Sequence, residues 1–190
     1  LSAFSGLAME SMTRGLGWRF MDMGRRVERA MTHTGLIRIG LPQVCRESRS
    51  ALEALLEVAD SIMTYRARYR TAFQLAPVLD LLIVDESNPK SLAFQFSQLV
   101  AHVEQLPRKS DRRFASPEER LSLEMLTAVR LLDLTGLRCS KGGAQTESLA
   151  DFLDLMDTCL KDFAQQISAH YLTRVQATPH FSMIRGNHQP

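Results

Sequence analysis

Apolar side chains recur at intervals of three and four residues along most of this chain, while alternation with a period of two is scarce. Intervals of three and four place side chains on one face of an α-helix, whereas a half-buried strand needs a period of two. The longest apolar stripe comprises Leu149, Leu153, Met156, Leu160, Phe163, Ile167, His170 and Arg174. The pattern predicts an all-α fold, a multi-helix bundle of about six to seven helices.

Glycines, prolines and capping residues divide this pattern into separate elements. The predicted segments are a helix at 3–13, a helix at 18–38, a helix from about 48 to 69, a short apolar segment at 77–84, a helix starting at Pro89, a helix from 117 to about 136, and a helix at 146–175. Gly40 and Pro42 are predicted to end the second helix. Asn88 is the predicted cap of the helix that starts at Pro89, and Ser116 opens a predicted capping box.

Size and charge restrict the class of protein. The 190 residues suit one helical domain at 1–176, followed by a tail at 177–190. A net charge of +2 argues against nucleic acid as a partner, although the loop at 107–115 is basic. No apolar run reaches the length of a membrane span, so no membrane association is expected. Three widely spaced cysteines indicate reduced thiols and a cytoplasmic location. No metal site or cofactor is predicted, because helical metal sites need Glu-x-x-His pairs.

The helix at 18–38 carries a charged stripe at alternating spacings of three and four. Its members are Arg19, Asp22, Arg26, Arg29 and His33, with Arg25 and Glu28 on another face. Arginines outnumber acids here, and arginine binds carboxylate or phosphate in two-point geometry. One interpretation is an anion-binding helix in which Glu28 orients the arginines. The other is a solvated face with exposed ion pairs that contribute little to stability.

Three further positions have a functional and a structural interpretation. Tyr65, Arg66, Arg68 and Tyr69 alternate near a helix end, where they either bind a phosphate or flat group or complement the helix dipole. Asn88 either forms a plain capped turn or helps to hold an anion at a helix N-terminus. His170, on the apolar stripe, is interpreted as a hydrogen-bonded core residue.

Four segments in order resemble the bacterial alpha-E domain family, a helical domain with a shared Glu-Arg motif. They are GWRFMDMGRRVERA, LLEVADSIMTYRARYR, PVLDLLIVDESNPKSLAFQ and ISAHYL, and the resemblance covers about residues 4–174. Family domains are longer, so this chain resembles their later portion. A site formed with the preceding helical portion would be incomplete here.

The resemblance implies which residues form the motifs. The Glu-Arg pair corresponds to Glu28 and Arg29. The remaining motif positions correspond to Trp18, Arg19, Gly24, Arg25, Ser61, Thr64, Tyr65, Arg66, Arg68, Tyr69, Asp80, Asn88, Pro89, Ser91, His170 and Tyr171. Lys90 stands where the family more often has arginine, which keeps the charge but loses the forked geometry.

The resemblance also implies a context, since family members are encoded beside or fused to circularly permuted ATP-grasp ligases and transglutaminase-like proteins. We therefore expect an accessory or substrate-binding domain in a peptide-synthesis or peptide-modification system. The expected ligand is anionic or a peptide, bound by Arg25, Glu28, Arg29, Arg66 and Arg68. Secondary candidates are Trp18, Arg19, Tyr65, Tyr69, Asn88 and His170. Two alternatives remain: an enzyme with Glu28 or His170 as the acid/base group, and a purely structural interaction module.

Overall fold

The computed structural model describes residues 6, 10–44, 46, 48–70, 72–107, 114–134 and 144–172, and in this part of the chain it is all-helical. The helices are α1 (Leu16–Val44), α2 (Arg49–Val58), α3 (Ile62–Tyr69), α4 (Leu75–Leu79), α5 (Leu92–Val103), α6 (Pro117–Arg130) and α7 (Ala144–Ile167). A π-helical turn follows α4 at Asp80–Val84, and another follows α7 at Ser168–Leu172. The predicted all-α class and helix number are confirmed for the described residues.

Four of these helices form the bundle. Helix α1 packs against α5 and α7, and α6 packs against the same two helices. Asp22 of α1 contacts His102 of α5 while Arg26 contacts Gln95, so the two helices run antiparallel. The core between the helices is apolar and includes Met23, Phe96, Met125, Leu153 and Phe163. The first turns of α1 and α6 therefore lie at the same end of the bundle as the last turns of α5 and α7.

The last long helix follows its predicted stripe closely. Leu149, Leu153, Met156, Leu160, Phe163 and Ile167 are all buried. The α-helical hydrogen bonding ends at Ile167, earlier than predicted, and a π turn continues to Leu172. Arg174 and the predicted tail lie outside the described residues, as does most of the predicted helix at 3–13.

The predicted end of α1 at Gly40 and Pro42 is wrong. The helix continues through Pro42 to Val44. Leu41 and Val44 are 4% and 1% exposed, so this last turn is anchored in the core. Tertiary burial of these two side chains thus outweighs the one helical hydrogen bond that Pro42 cannot donate.

The single predicted helix from 48 to 69 is also wrong, because it is two helices with a break between them. Asp60 adopts a left-handed backbone conformation with φ of 50°. After this turn Tyr65 is fully buried, whereas Met63 is 73% exposed.

Two predicted helix starts had different outcomes. Ser91, and not Asn88, caps α5, and its hydroxyl accepts a hydrogen bond of 3.0 Å from the Phe94 amide. The capping box at Ser116 is confirmed, with Ser116 and Glu119 bonded reciprocally. Helix α6 then ends at Arg130, before the predicted Gly136.

Candidate functional site

The arginines of α1 fall into two groups. Arg26 and Arg38 pair with carboxylates, namely Asp22 and Asp154. Arg19, Arg25 and Arg29 form no ion pair within the part of the chain that the structure describes. Arg25 and Arg29 are one turn apart, while Arg19 lies on a different side of the helix.

We define the arginine-rich face of α1 by four residues: Arg14, just before the helix begins, and Trp18, Arg25 and Arg29 on the helix. Trp18 is seven residues before Arg25, which is close to two helical turns, so both project from the same side. The Arg14 guanidinium carbon lies 4.3 Å from the centre of a Trp18 ring, in cation–π geometry. The face therefore presents Arg14 against the Trp18 ring, with Arg25 and Arg29 further along the same side of α1.

Two nitrogen donors on this face are buried without a partner. They are Nη1 of Arg25 and Nε1 of the Trp18 indole, neither of which has a hydrogen bond to the described residues. Buried polar groups are normally paired, and an unpaired one costs about 1–3 kcal/mol. These two atoms favour a ligand that supplies a hydrogen-bond acceptor.

The surroundings of Arg29 also carry excess positive charge. Burial lowers the pKa of His33, and the nearby charges of Lys90 and Arg29 lower it further. Lys90 itself pairs with exposed Asp60 at 2.6 Å, which leaves Arg29 as the unpaired cation here among the described residues. The positive potential of this region disfavours another cation and favours an anion.

Glu28, the predicted orienting residue, is exposed and forms no ion pair with Arg25 or Arg29. Glu28 instead lines a groove between α1 and α7. The structure thus brings Trp18, Arg25 and Arg29 onto one face and places Glu28 at the neighbouring groove.

Arg66 and Arg68 lie apart from α1. The Arg66 guanidinium pairs with Glu53 at 2.8 Å. Arg68 pairs with Asp85 and also donates to the Ser87 hydroxyl at 3.3 Å. The five primary candidates therefore do not form one site. Arg66 and Arg68 lie on α3 and are paired with acids, whereas the other three lie on α1.

Tyr69 of α3 borders a polar cavity of about 560 Å³. The Tyr69 hydroxyl donates to Asp80 at 2.7 Å, and burial together with this contact raises the pKa of Tyr69 to about 12. Tyr65 is buried, stacks against Tyr69 at 4.9 Å, and accepts a hydrogen bond from the Gln74 amide. The cavity lining carries three acids and one arginine, so it is unsuited to an anion.

Asn88 has a structural place in this region. It is 5% exposed, and its amide nitrogen donates to the Leu81 carbonyl at 2.8 Å. Its side-chain oxygen accepts from the Lys90 amide at 3.1 Å. Both ends of the side chain are used to join the π turn to the following loop.

Asp22 and Arg26, which helical spacing lets pair, belong to an ionic network whose burial and contact with His102 were not predicted from the sequence. Asp22 is 3% exposed and accepts hydrogen bonds from Arg26 at 2.6 Å and from His102 at 2.7 Å. Burial raises the pKa of Asp22, but the contacts with His102 and Arg26 outweigh burial and lower it to about 2. The interpretation of Asp22 as part of a solvated stripe is therefore wrong.

His170 belongs to a second buried contact at the same end of the bundle. Its Nδ1 and the Tyr171 hydroxyl each lie 3.0 Å from Oε1 of Glu118, which is 2% exposed. Burial of Glu118 is outweighed by hydrogen bonds to its own amide, Ser116, Tyr171 and His170, so the net effect lowers its pKa. His170 is half-buried and hydrogen-bonded, and it holds the final π turn against α6.

The groove between α1 and α7 has a volume of about 450 Å³ and mostly apolar walls. Phe20 and Met31 of α1 face Phe163 and Ile167 of α7, and the π turn contributes Leu172. Among the described residues that line the groove, Glu28 is the only charged one. Its size and walls are those of a small-ligand or side-chain pocket.

The described residues contain neither a metal-binding cluster nor a membrane-spanning helix. No group of three or more His, Cys, Asp or Glu side chains there is arranged to hold a metal ion. None of the helices described has the length and apolar content to cross a lipid bilayer.

The fold and these contacts define an all-helical domain with an uncompensated arginine-rich face and an adjoining apolar groove. The family model called Alpha-E, described as a predicted alpha-helical domain with a conserved ER motif, matches residues 1–172. The chain therefore belongs to the Alpha-E family, as its motifs had indicated.

Curated relatives are themselves uncharacterised. Uncharacterized protein Rv2567 of Mycobacterium tuberculosis and uncharacterized protein Mb2597 of Mycobacterium bovis are each 33% identical over 170 residues. The match covers 88% of this chain but 19% of each relative, so the chain spans about one fifth of their length. No solved structure matches the chain.

Proposed function

We propose that this domain is a binding domain that recognises the carboxylate of a peptide ligand through the arginine-rich face of α1. The observation that supports it is the pair of buried donors on Arg25 and Trp18, which have no hydrogen-bond partner among the described residues. A carboxylate accepts several hydrogen bonds at once and would satisfy donors that otherwise cost about 1–3 kcal/mol each.

Charge supports an anionic group as the ligand. Arg14, Arg25 and Arg29 form no ion pair with any described residue, and Arg29 adds to the positive potential around His33. Arginine binds carboxylates in a forked, two-point geometry. Arg66 and Arg68 are excluded from this role because Glu53 and Asp85 already neutralise them.

The family resemblance supports a peptide as the carrier of that carboxylate. The resemblance implies ATP-grasp ligases or transglutaminase-like proteins as neighbours, and we propose these as partners in peptide synthesis or modification. An accessory domain that presents a peptide end to such a partner needs affinity and orientation but no reactive group of its own.

Binding accounts for the geometry better than catalysis by Glu28 or His170. The Glu28 side chain is exposed and has no hydrogen bond to a described residue, so nothing there tunes or orients it as an acid/base group. His170 is already engaged by Glu118.

Isothermal titration calorimetry with N-acetyl-trialanine tests the proposal. We expect the free acid to bind and its C-terminal amide to bind about tenfold or more weakly, because hydrogen bonds to charged groups contribute about 1.5–3 kcal/mol. Arg25→Met should abolish this preference and Trp18→Phe should reduce it. Arg66→Met is the matched control and should bind like wild type.

Urea denaturation of the same variants distinguishes a ligand-binding role of Arg25 from a structural role. Because Nη1 of Arg25 is buried and unpaired, Arg25→Met should keep or raise the free energy of unfolding. Equal binding of acid and amide, or a large loss of stability in Arg25→Met, would instead support the structural-module alternative.

A further inference from the structure

The groove between α1 and α7 adjoins the arginine-rich face along the same two turns of α1. Gly24 and Glu28 line the groove, and the next residues in the chain, Arg25 and Arg29, belong to the arginine-rich face. Successive helical residues are separated by about 100° around the axis, so the two sites occupy neighbouring flanks of one helix. A ligand whose carboxylate contacts Arg25 has its adjacent atoms beside Gly24.

Gly24 leaves the helix surface bare in the wall of the groove. It is exposed in the middle of α1, and a Cβ added there would meet nothing within 4 Å. Packing inside the described structure therefore does not require glycine here, although glycine in a helix interior is unfavourable relative to alanine. The missing side chain lets another chain approach the α1 backbone closely.

The walls of the groove indicate what it accepts. Phe20 and Phe163 are aromatic and Met31 is a flexible thioether, so the walls suit a large apolar group. The end wall includes Leu172 of the π turn, and the preceding Tyr171 is bonded to buried Glu118. Isolated π turns of this kind are frequent at functional sites. The groove is therefore apolar, and the π turn that contributes Leu172 is held in place by the Tyr171–Glu118 hydrogen bond.

We propose that the groove receives the apolar C-terminal side chain of the same peptide whose carboxylate binds the arginine-rich face. The ligand class is a peptide that ends in a large apolar residue such as phenylalanine, leucine or methionine. This inference rests on the proposed function and adds its specificity. Glu28, at the groove edge, is placed to accept a hydrogen bond from a peptide N–H.

Three peptides titrated into the full chain test the inference: N-acetyl-Ala-Ala-Phe, N-acetyl-Ala-Ala-Ala, and the C-terminal amide of the first. We expect the phenylalanine acid to bind about 10- to 100-fold more tightly than the alanine acid, from burial of its ring. Its amide should lose affinity by the same factor as the trialanine amide, because the carboxylate contact is shared.

Gly24→Leu tests whether the groove must stay open at Gly24, and Gly35→Leu is its matched control. Position 35 lies about three turns further along α1, outside the groove, and a Cβ there also meets nothing within 4 Å. Gly24→Leu should remove the preference for phenylalanine, whereas Gly35→Leu should retain it. Circular dichroism and urea denaturation confirm that both variants fold.

The outcomes separate this inference from the proposed function. Equal affinities for the two acids, each still dependent on Arg25, would overturn the groove and leave the carboxylate site standing. Loss of the carboxylate preference in both peptides would overturn the proposed function and with it the inference. Failure of the phenylalanine acid to bind at millimolar concentration, or a dimer of this chain that excludes it, would also overturn the inference.

Discussion

At the scale of single residues, Asp22 shows how a polar side chain is held inside the bundle. It accepts from Arg26 on its own helix and from His102 on α5, and it is almost fully buried. A buried carboxylate is tolerated when it is paired and hydrogen-bonded, whereas removal of one partner leaves an uncompensated charge. Asp22 therefore links α1 to α5 through its buried hydrogen bond with His102.

Acid should reduce the contribution of Asp22 to the free energy of unfolding in a defined pH range. The pKa of Asp22 is lowered from 3.8 to about 2, so the unfolded chain takes up the proton first as the pH falls. The stability from this group is present above about pH 4 and is lost towards about pH 2, a change of about 2 kcal/mol. Urea denaturation across this range should show a shallower acid loss in Asp22→Asn than in wild type.

Asp154→Asn is the control for this comparison. Its partner is Arg38, and both side chains are more than half exposed, so we expect a change below about 1 kcal/mol and an acid loss like that of wild type. If Asp22→Asn followed the wild-type acid curve, His102 and Arg26 would not stabilise the carboxylate.

At the scale of elements, α1 is the helix on which most features of this domain converge. It contributes to the core through Met23 and Val27, to the link with α5 through Asp22, and to both proposed binding surfaces. Two of the described helices end in π turns, and each π turn lines a recess, Asp80–Val84 the polar cavity and Ser168–Leu172 the groove.

Gly24→Ala tests whether folding alone accounts for this glycine. The added Cβ meets open space, and alanine is more favourable than glycine in a helix by about 0.5–1 kcal/mol. We therefore expect a higher free energy of unfolding by that amount, measured in urea. A decrease would mean that the bare backbone at this position serves the free fold and not a ligand.

At the scale of the whole molecule, four antiparallel helices enclose one apolar core. Leu153→Ala should lower the free energy of unfolding by about 2–5 kcal/mol, because its side chain is fully buried between helices. Leu155→Ala, two residues away and 49% exposed, should change it by less than about 1 kcal/mol. Similar losses in both variants, measured by denaturation, would contradict the packing of α7.

Errors in the predicted elements have tertiary causes. Pro42 is a local stop signal, yet the core anchors Leu41 and Val44 and extends α1 past it. A continuous helical pattern gave no indication of the break at Asp60, whose left-handed conformation is needed to bury Tyr65.

The candidate site was predictable in part, for a similar reason. Helical spacing put Arg29 on the charged stripe and Arg25 on another face, so the side that both share with Trp18 was not predicted. Spacing could not show that Glu53 and Asp85 neutralise Arg66 and Arg68, since those acids come from other elements. His102 had no partner at helical spacing and finds one 80 positions away.

The sequence by itself determined the all-helical class, the capping box at Ser116, the buried stripe of α7 and the Alpha-E motifs. Each depends on residues within a few turns of one another, where backbone geometry alone decides which side chains meet. The tertiary structure decided where α1 ends, which arginines stay unpaired, and that Glu28 borders an apolar groove. Those outcomes depend on burial and on charges from distant elements, which come together when the helices pack.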